Sequence, residues 1–280
     1  FPDLQSTVVG VIRSGKLFIP RSSDQLFAGD LAYVVTTREQ VRRTLGLFGH
    51  EEKEASRIVI AGGGNIGMYV ASTIEERQSR TKVKIIEANR DRAVVVADRL
   101  RRTLVLHGSA LDQKLLAEAE IQDADLMVAL TNNDQVNILS SVMAKRLGCR
   151  SSLVLINNPS FLDMTKSVGI DATINPGTVT VSRVLQYVRR GRIRAVHSLY
   201  RGGAEIIEAE ALETSPLVGQ ALRALDLPDG MRIGAVYRDG TVLTPSGSLR
   251  IRAKDRVVIF VLERAVKQVE QMFRVSLEFF

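Results

Sequence analysis

Residues 62–67 read Gly-Gly-Gly-Asn-Ile-Gly, with Gly62, Gly64 and Gly67 at the spacing G-x-G-x-x-G. Chain that turns sharply there and then opens a helix presents a ring of backbone N–H groups, which hold phosphate oxygens. In that arrangement Gly62 takes the tight turn, Gly64 lets backbone approach a pyrophosphate, and Gly67 lets the helix pack close to its strand. Twenty residues beyond Gly67 stands Glu87. A carboxylate at that distance accepts both ribose hydroxyls of an adenosine and repels a 2′-phosphate, which favours NAD(H), ATP or ADP over NADP. Three further polar loops contain Asn89-Arg90-Asp91-Arg92, Gly108-Ser109-Ala110-Leu111-Asp112 and Thr131-Asn132-Asn133-Asp134. Arg92 suits the adenine or the phosphates, and Ser109 and Thr131 can hydrogen-bond ligand edges. Asp112, and either Asn132 or Asn133, serve equally well as helix N-caps.

These residues need elements to hold them. Short β-branched runs occur at Ile58–Ala61, Val83–Glu87, Thr103–His107, Leu126–Leu130, Leu153–Ile156 and Ala172–Ile174. Helical patterns fall between them at 65–77, 91–102, 112–119, 134–147 and 159–167. Strands alternating with helices predict an α/β domain, residues 56–195, with a doubly wound, Rossmann-like parallel sheet covered on both faces. The glycine loop and the three polar loops then all fall at C-terminal strand ends, where ligands bind such sheets. The competing reading is a glycine-rich turn in a doubly wound domain that holds nothing.

The flanks repeat each other. With a constant shift of 225, residues 8–48 overlie 233–273 without gaps: Val11 on Val236, Arg13 on Arg238, Gly15 on Gly240, Pro20 on Pro245, Asp30 on Asp255 and Phe48 on Phe273. Each copy reads as strand, glycine turn, strand ending near the proline, a third strand (Leu31–Val35, Arg256–Leu262) and an amphipathic helix (Glu39–Phe48, Glu263–Phe273). The expected organisation is therefore a small α+β module at 1–50, the nucleotide-type domain, and a second small α+β module at 196–280. Module, domain, module is what a domain–module–domain–module protein leaves when it loses its first domain. The chain also opens on Phe1 in mid-protein style, so a C-terminal portion of a longer protein is expected.

Charge and composition narrow the function classes. The chain has 280 residues and a net charge of +7. The whole excess lies in 56–195, with twenty basic against thirteen acidic side chains, and it clusters at Arg99, Arg101, Arg102 and at Arg189, Arg190, Arg192, Arg194. Such a balance suits an anionic partner or simply solvated helix faces. Nucleic acid is not expected, because base stacking wants aromatics and the chain has no Trp and 5% aromatic residues. Cys149 is the one cysteine, which fits a reducing compartment. No apolar run approaches the roughly 18 residues of a membrane span, and no signal pattern opens the chain, so a cytoplasmic protein is expected.

The rival to a binding protein is a small NAD-dependent oxidoreductase. That chemistry needs an acid or base beside the nicotinamide. The three histidines are His50 in a charged linker, His107 at a strand end and His197 opening the last module, and no Tyr has a Lys four residues on. A third class is an oligomerisation scaffold with a vestigial pocket, against which the intact Gly62, Gly64, Gly67 and Glu87 argue. No catalytic or metal-binding set is expected. The segment Pro176–Arg194 is helical in pattern and joins the domain to the last module, so it is a candidate lever, with Gly191 as its stop.

Longer stretches carry a resemblance. Gly-Gly-Gly-Asn-Ile-Gly at 62–67, Ala-Leu-Thr-Asn-Asn-Asp at 129–134 and Asn-Ile-Leu-Ser-Ser-Val-Met-Ala-Lys-Arg-Leu-Gly at 137–148 are similar to the RCK, or KTN, domain family. Leu-Ile-Asn at 155–157, Ala-Val-His-Ser-Leu at 195–199, Ala-Glu-Ile-Ile-Glu-Ala at 204–209 and Ile-Gly-Ala-Val at 233–236 extend it across almost the whole chain. These proteins regulate potassium conductance, and the likeness is to the regulatory subunits of Trk-type uptake systems. The resemblance implies a non-enzymatic subunit that binds NAD(H) or ATP/ADP. It implies a homo-oligomer, a tetrameric ring, placed peripherally on the inner face of the plasma membrane. Its partner would be a membrane potassium transporter subunit (TrkH/TrkG-like), gated by ligand-dependent change of shape. It also implies the ligand set Gly62, Gly64, Asn65, Ile66, Gly67, Glu87, Arg92, Ser109, Thr131 and Asn132. Two departures stand out, since Ser109 replaces a usual acid and Asn133-Asp134-Gln135 replaces a more acidic triplet. Both remove carboxylate from the pocket rim, which would favour a more anionic ligand such as ATP.

Overall fold

A computed structural model describes residues 4–50, 54–78, 80–188 and 193–273. It divides the chain into two compact units, one of residues 53–177 and one of 1–52 together with 178–280. The first elements are β1 (Ser6–Arg13), β2 (Lys16–Phe18), β3 (Leu31–Thr36) and helix α1 (Val41–Leu47), with the strands antiparallel in the order β2-β1-β3.

From Arg57 the chain alternates strand and helix: β4 (Arg57–Ala61), α2 (Asn65–Arg77), β5 (Lys82–Glu87), α3 (Arg90–Arg99), β6 (Leu104–His107) and α4 (Gln113–Glu118). It continues with β7 (Leu126–Ala129), α5 (Asp134–Arg146), β8 (Ser151–Leu155), α6 (Leu162–Ser167), β9 (Ala172–Ile174) and α7 (Pro176–Val188). The six strands form one parallel sheet in the order β6-β5-β4-β7-β8-β9. Alternate residues feed opposite faces. Val59, Ala61, Ile86, Met127 and Val154 join one buried cluster, and Ile58, Ile60, Ile85, Val128 and Leu155 join the other. Burial on both faces is why the central strand β4 is apolar from Ile58 to Ala61, whereas β5 carries Lys84 and β8 opens on two serines. The chain passes from β4 outward to β5 on one side and later to β7 on the other, which opens a crevice between the C-terminal ends of β4 and β7.

The remaining elements are β10 (Ile193–Leu199), β11 (Ala204–Glu210), β12 (Met231–Arg238), β13 (Thr241–Leu243), β14 (Arg256–Leu262) and α8 (Val266–Met272). Their sheet is antiparallel in the order β10-β11-β14-β12-β13. The sequence repeat is a structural repeat down to single hydrogen bonds. Val8 pairs with Val34 and Ile233 with Ile259, and each ladder then slips at the following residue, Val9 and Gly234. Arg13 Nη2 donates to Asp30 Oδ2 and Arg238 Nη2 to Asp255 Oδ2, both at 2.6 Å. The first module's sheet packs on one face of the second, where Val9, Tyr33 and Val35 meet Ala204, Ile206 and Phe260. On the other face of the second sheet Ile251, Ile259, Val269 and Phe273 are buried beneath Leu217, Val218 and Leu222. Of their first-module counterparts, Leu26 and Phe48 are exposed and Val34 is half-buried, while Thr44 is buried with its hydroxyl against those of Ser6 and Thr36.

Two expectations change. The helical reading of Pro176–Arg194 gives way to α7 ending at Val188 and β10 opening at Ile193, so Arg194 lies in a strand. Arg189, Arg190, Gly191 and Arg192, the proposed lever stop among them, lie outside the described residues. Helix α3 ends at Arg99, short of Arg101 and Arg102. The Glu75 carboxylate accepts from the amides of Arg101, Arg102 and Thr103 at 2.7–3.1 Å, so these residues are a loop pinned by a side chain. β10 and β11 have no clear signature in the sequence. In Ala204–Glu210, Ile206 and Ile207 serve opposite clusters, which breaks the polar alternation that marks a half-buried strand.

Candidate functional site

β4 delivers the glycine loop to the crevice. Gly62 sits at φ +102°, in the left-handed region, with its N–H donating to Ile86 C=O at 2.8 Å. Any side chain there would be strained and would meet the backbone of Leu130 and Thr131 at 3.0–3.1 Å. α2 begins at Asn65, and a Cβ at Gly67 would lie 2.0 Å from Gly62 C=O, so only glycine lets this helix approach. Gly64 is different. A Cβ there would meet no atom within 4 Å, so the backbone is bare toward open space, as close approach by a phosphate requires.

Glu87 ends β5 and does two local jobs. Its Oε2 accepts from Gly63 N–H at 2.7 Å and its Oε1 from Asn89 N–H at 2.8 Å, which ties the glycine loop to the start of α3. Arg92, one turn into α3, lies across the same loop. Its Nε donates to Gly63 C=O at 2.8 Å and its Nη2 to Asn65 Oδ1 at 3.2 Å. Asn89 caps α3 by accepting from Arg92 N–H. The crevice therefore has a cation and a carboxylate both fixed at Gly63, next to the bare backbone of Gly64.

The resulting pocket measures about 840 Å³. It brings together Gly62, Gly64, Asn65, Ile66, Glu87, Arg92, Ser109, Thr131 and Asn132, while Gly67 lies behind the loop and shapes it. Ser109 Oγ accepts from Leu111 N–H at 3.2 Å. Of the residues read as caps, Asp112 caps α4 and Asn133 caps α5, leaving Asn132 on the rim. Among the described residues, Glu87 and Arg92 are the only ionisable side chains in the lining. His107 is exposed, lies outside that lining and pairs in register with Glu87 across the sheet. Cys149 is buried, and burial raises its thiol pKa.

Sequence reasoning missed the residues beneath the pocket. Asp134 is turned from the rim, with Oδ1 accepting from Asn157 N–H at 2.9 Å and Oδ2 from Asn158 N–H at 2.8 Å. Asn137 is fully buried against Thr131 and Leu155. Asp134, Asn137 and Ser141 follow one another at helical spacing, a pattern that reads as a solvated face, and the stripe turns inward instead.

Family models match the chain twice, a TrkA-N domain over residues 58–176 and a TrkA-C domain over residues 206–274. Among curated proteins, "Trk system potassium uptake protein TrkA" of Azorhizobium caulinodans is 55% identical over 280 residues, covering 100% of this chain and 61% of the relative. The protein of that name from Halomonas elongata is 40% identical over 283 residues, with the same two coverages. The chain thus spans about three fifths of the length of the curated relatives it matches. Among solved structures, the "GsuK channel bound to NAD" aligns with a TM-score of 0.52 at 18% identity, over 81% of this chain and 41% of that one. The "GsuK RCK domain" aligns at 0.51 and 17% identity, over 97% and 58%. At those identities the two share a fold with this chain.

Proposed function

Because this chain, with its TrkA-N and TrkA-C domains, belongs to the TrkA family, we propose that it is a regulatory, non-enzymatic part of a potassium uptake system that senses an adenine nucleotide. The crevice of residues 53–177 is its binding site. The observation that carries the reading is the glycine loop itself. Its backbone is bare at Gly64, Arg92 lies across it and Glu87 is fixed at the end of β5. Phosphates sit on the α2 N-terminus beside Arg92, and the ribose lies toward Glu87. The GsuK channel has been solved bound to NAD, and NAD(H) is the first ligand to test, with ATP and ADP next. Asn65, Ile66, Ser109, Thr131 and Asn132 complete the contact set.

A dehydrogenase reading is not favoured. Among the described residues no His, Lys, Tyr or Cys lines the pocket, and its one carboxylate, Glu87, is held by the amides of Gly63 and Asn89. The partner is a membrane potassium transporter subunit, engaged from the cytoplasmic side by a ring of copies of this chain. Among the described residues no helix is long and apolar enough to cross a membrane. The test is calorimetric titration with NADH, ATP and ADP, alongside Glu87→Ala. Saturable binding weakened in the variant, with ligand recovered chemically intact, is the expected result. Turnover of NADH with any reducible substrate, or no binding of any of the three, overturns the proposal.

A further inference from the structure

We infer that Asn137 and Asp134 are positioning residues that couple the ligand-facing lip of the pocket to the start of α7, so that a ligand seated at Thr131 changes the order of that helix. The inference rests on the nucleotide reading of the pocket and adds a route for its output. Asn137 is fully buried and uses all four of its hydrogen-bonding positions. Its Oδ1 accepts from Thr131 N–H at 2.9 Å and from the Thr131 hydroxyl at 2.6 Å. Its Nδ2 donates to Thr131 C=O at 2.9 Å and to Leu155 C=O at 3.0 Å. One side chain thus holds a pocket residue by three polar atoms and the end of β8 by a fourth.

Three residues back on α5, Asp134 extends the chain of contacts. Its Oδ1 accepts from both the backbone and the side-chain N–H of Asn157, at 2.9 and 3.1 Å, and its Oδ2 from Asn158 N–H. Asn175 closes the series. Its Nδ2 donates to Ile156 C=O at 2.8 Å and to Asn157 C=O at 3.2 Å, while Ile156 N–H donates to Ile174 C=O. Pro176 follows, lines the pocket and begins α7, and the unit boundary falls after Gly177, in the first turn of that helix.

The switching element is the Thr131 hydroxyl. It has one proton, which lies within reach of Asn137 Oδ1 and of Asn133 C=O at 3.2 Å. A ligand oxygen that accepts this hydrogen bond in its place leaves Asn137 Oδ1 with the Thr131 N–H alone, which weakens the hold of a fully buried side chain on Thr131 and shifts its balance against Leu155. Neighbouring side chains share loops through Asp134, so the shift reaches Asn157 and Asn175. Coupling of this kind exists only where ligand binds the two arrangements unequally.

The test is hydrogen–deuterium exchange over residues 174–188 of the full chain, with and without NADH or ATP, together with calorimetric Kd values. Asn175→Ala removes the last link at a residue that is itself outside the pocket lining, and Asp134→Asn disrupts the middle one. In the wild type, ligand is expected to change α7 exchange at least about fivefold. In Asn175→Ala the Kd stays within about twofold while the exchange response is lost. Asp134→Asn is expected to lose the response as well. An unchanged response in both variants overturns the relay, as does tight binding in the wild type with no change in α7. Absence of binding in the wild type removes the pocket reading and the relay together, and calorimetry alone identifies that case.

Discussion

Gly64→Ala separates binding from stability, because the structure assigns the two consequences opposite signs. Gly64 has φ −63° and ψ −170°, a conformation open to alanine, and a Cβ there would meet no atom within 4 Å. Folding should gain about 0.4–1 kcal/mol from the reduced freedom of the unfolded chain. For a unit of this size that is an upward shift of about 1–4 °C in Tm. The same methyl occupies space through which a phosphate must approach the backbone. Displacing one phosphate from one or two amides forfeits charge-assisted hydrogen bonds of about 1.5–3 kcal/mol each, a loss of at least about tenfold in affinity. Gly67→Ala is the control, because its Cβ would lie 2.0 Å from Gly62 C=O and both neighbours are backbone. That variant should lose stability, by about 1–3 kcal/mol or more, along with affinity. Thermal melts followed by circular dichroism suit a chain with no Trp, with titration calorimetry for Kd. A Gly64→Ala protein that binds NADH and ATP as the wild type does would refute phosphate contact at this loop.

Other outcomes follow from contacts away from the pocket. Glu75→Ala strips acceptors from the amides of Arg101, Arg102 and the buried Thr103, and should cost about 1–3 kcal/mol in urea unfolding while leaving Kd unchanged. Asp125 accepts from Ser56 N–H and Arg57 N–H, which with the Ser56 hydroxyl and nearby Arg150 lower its pKa to about 2. Its stabilising contribution is therefore complete above the ordinary value of 3.8 and is lost as pH falls through about 2, so Asp125→Asn should flatten the acid limb of the stability curve in that window. The repeated ion pairs are an internal comparison. Arg238→Met leaves a carboxylate whose side chain is 2% exposed without this charge partner and should cost about 3–5 kcal/mol, and Arg13→Met, where arginine and carboxylate are 37% and 6% exposed against 17% and 2%, should cost less in the same melts.

The residues themselves determined much of this molecule. Gly62 and Gly67 mark a strand-to-helix turn because a side chain is strained at φ +102° and cannot fit a 2.0 Å approach, while Gly64 leaves the backbone bare. The apolar run Ile58–Ala61 of β4 and the pair Ile85-Ile86 of β5 imply burial on both faces, hence a parallel sheet. The repeat was legible because turns and ion pairs demand particular residues at fixed offsets, as Arg13 with Asp30 and Arg238 with Asp255 do.

Tertiary structure decided the rest, since it depends on partners far away in the chain. Spacing marks Glu87 as a ribose ligand, but only the fold shows its carboxylate bound to Gly63 and Asn89. A polar stripe on α5 looks solvated until strands β7 and β8 bury it and supply the carbonyls that Asn137 needs. The short apolar pair Ile206-Ile207 is read as strand only when clusters on both sides of a sheet claim one residue each. Local pattern records which groups want burial or turns; which buried group meets which is fixed by the packing of segments that the sequence keeps apart.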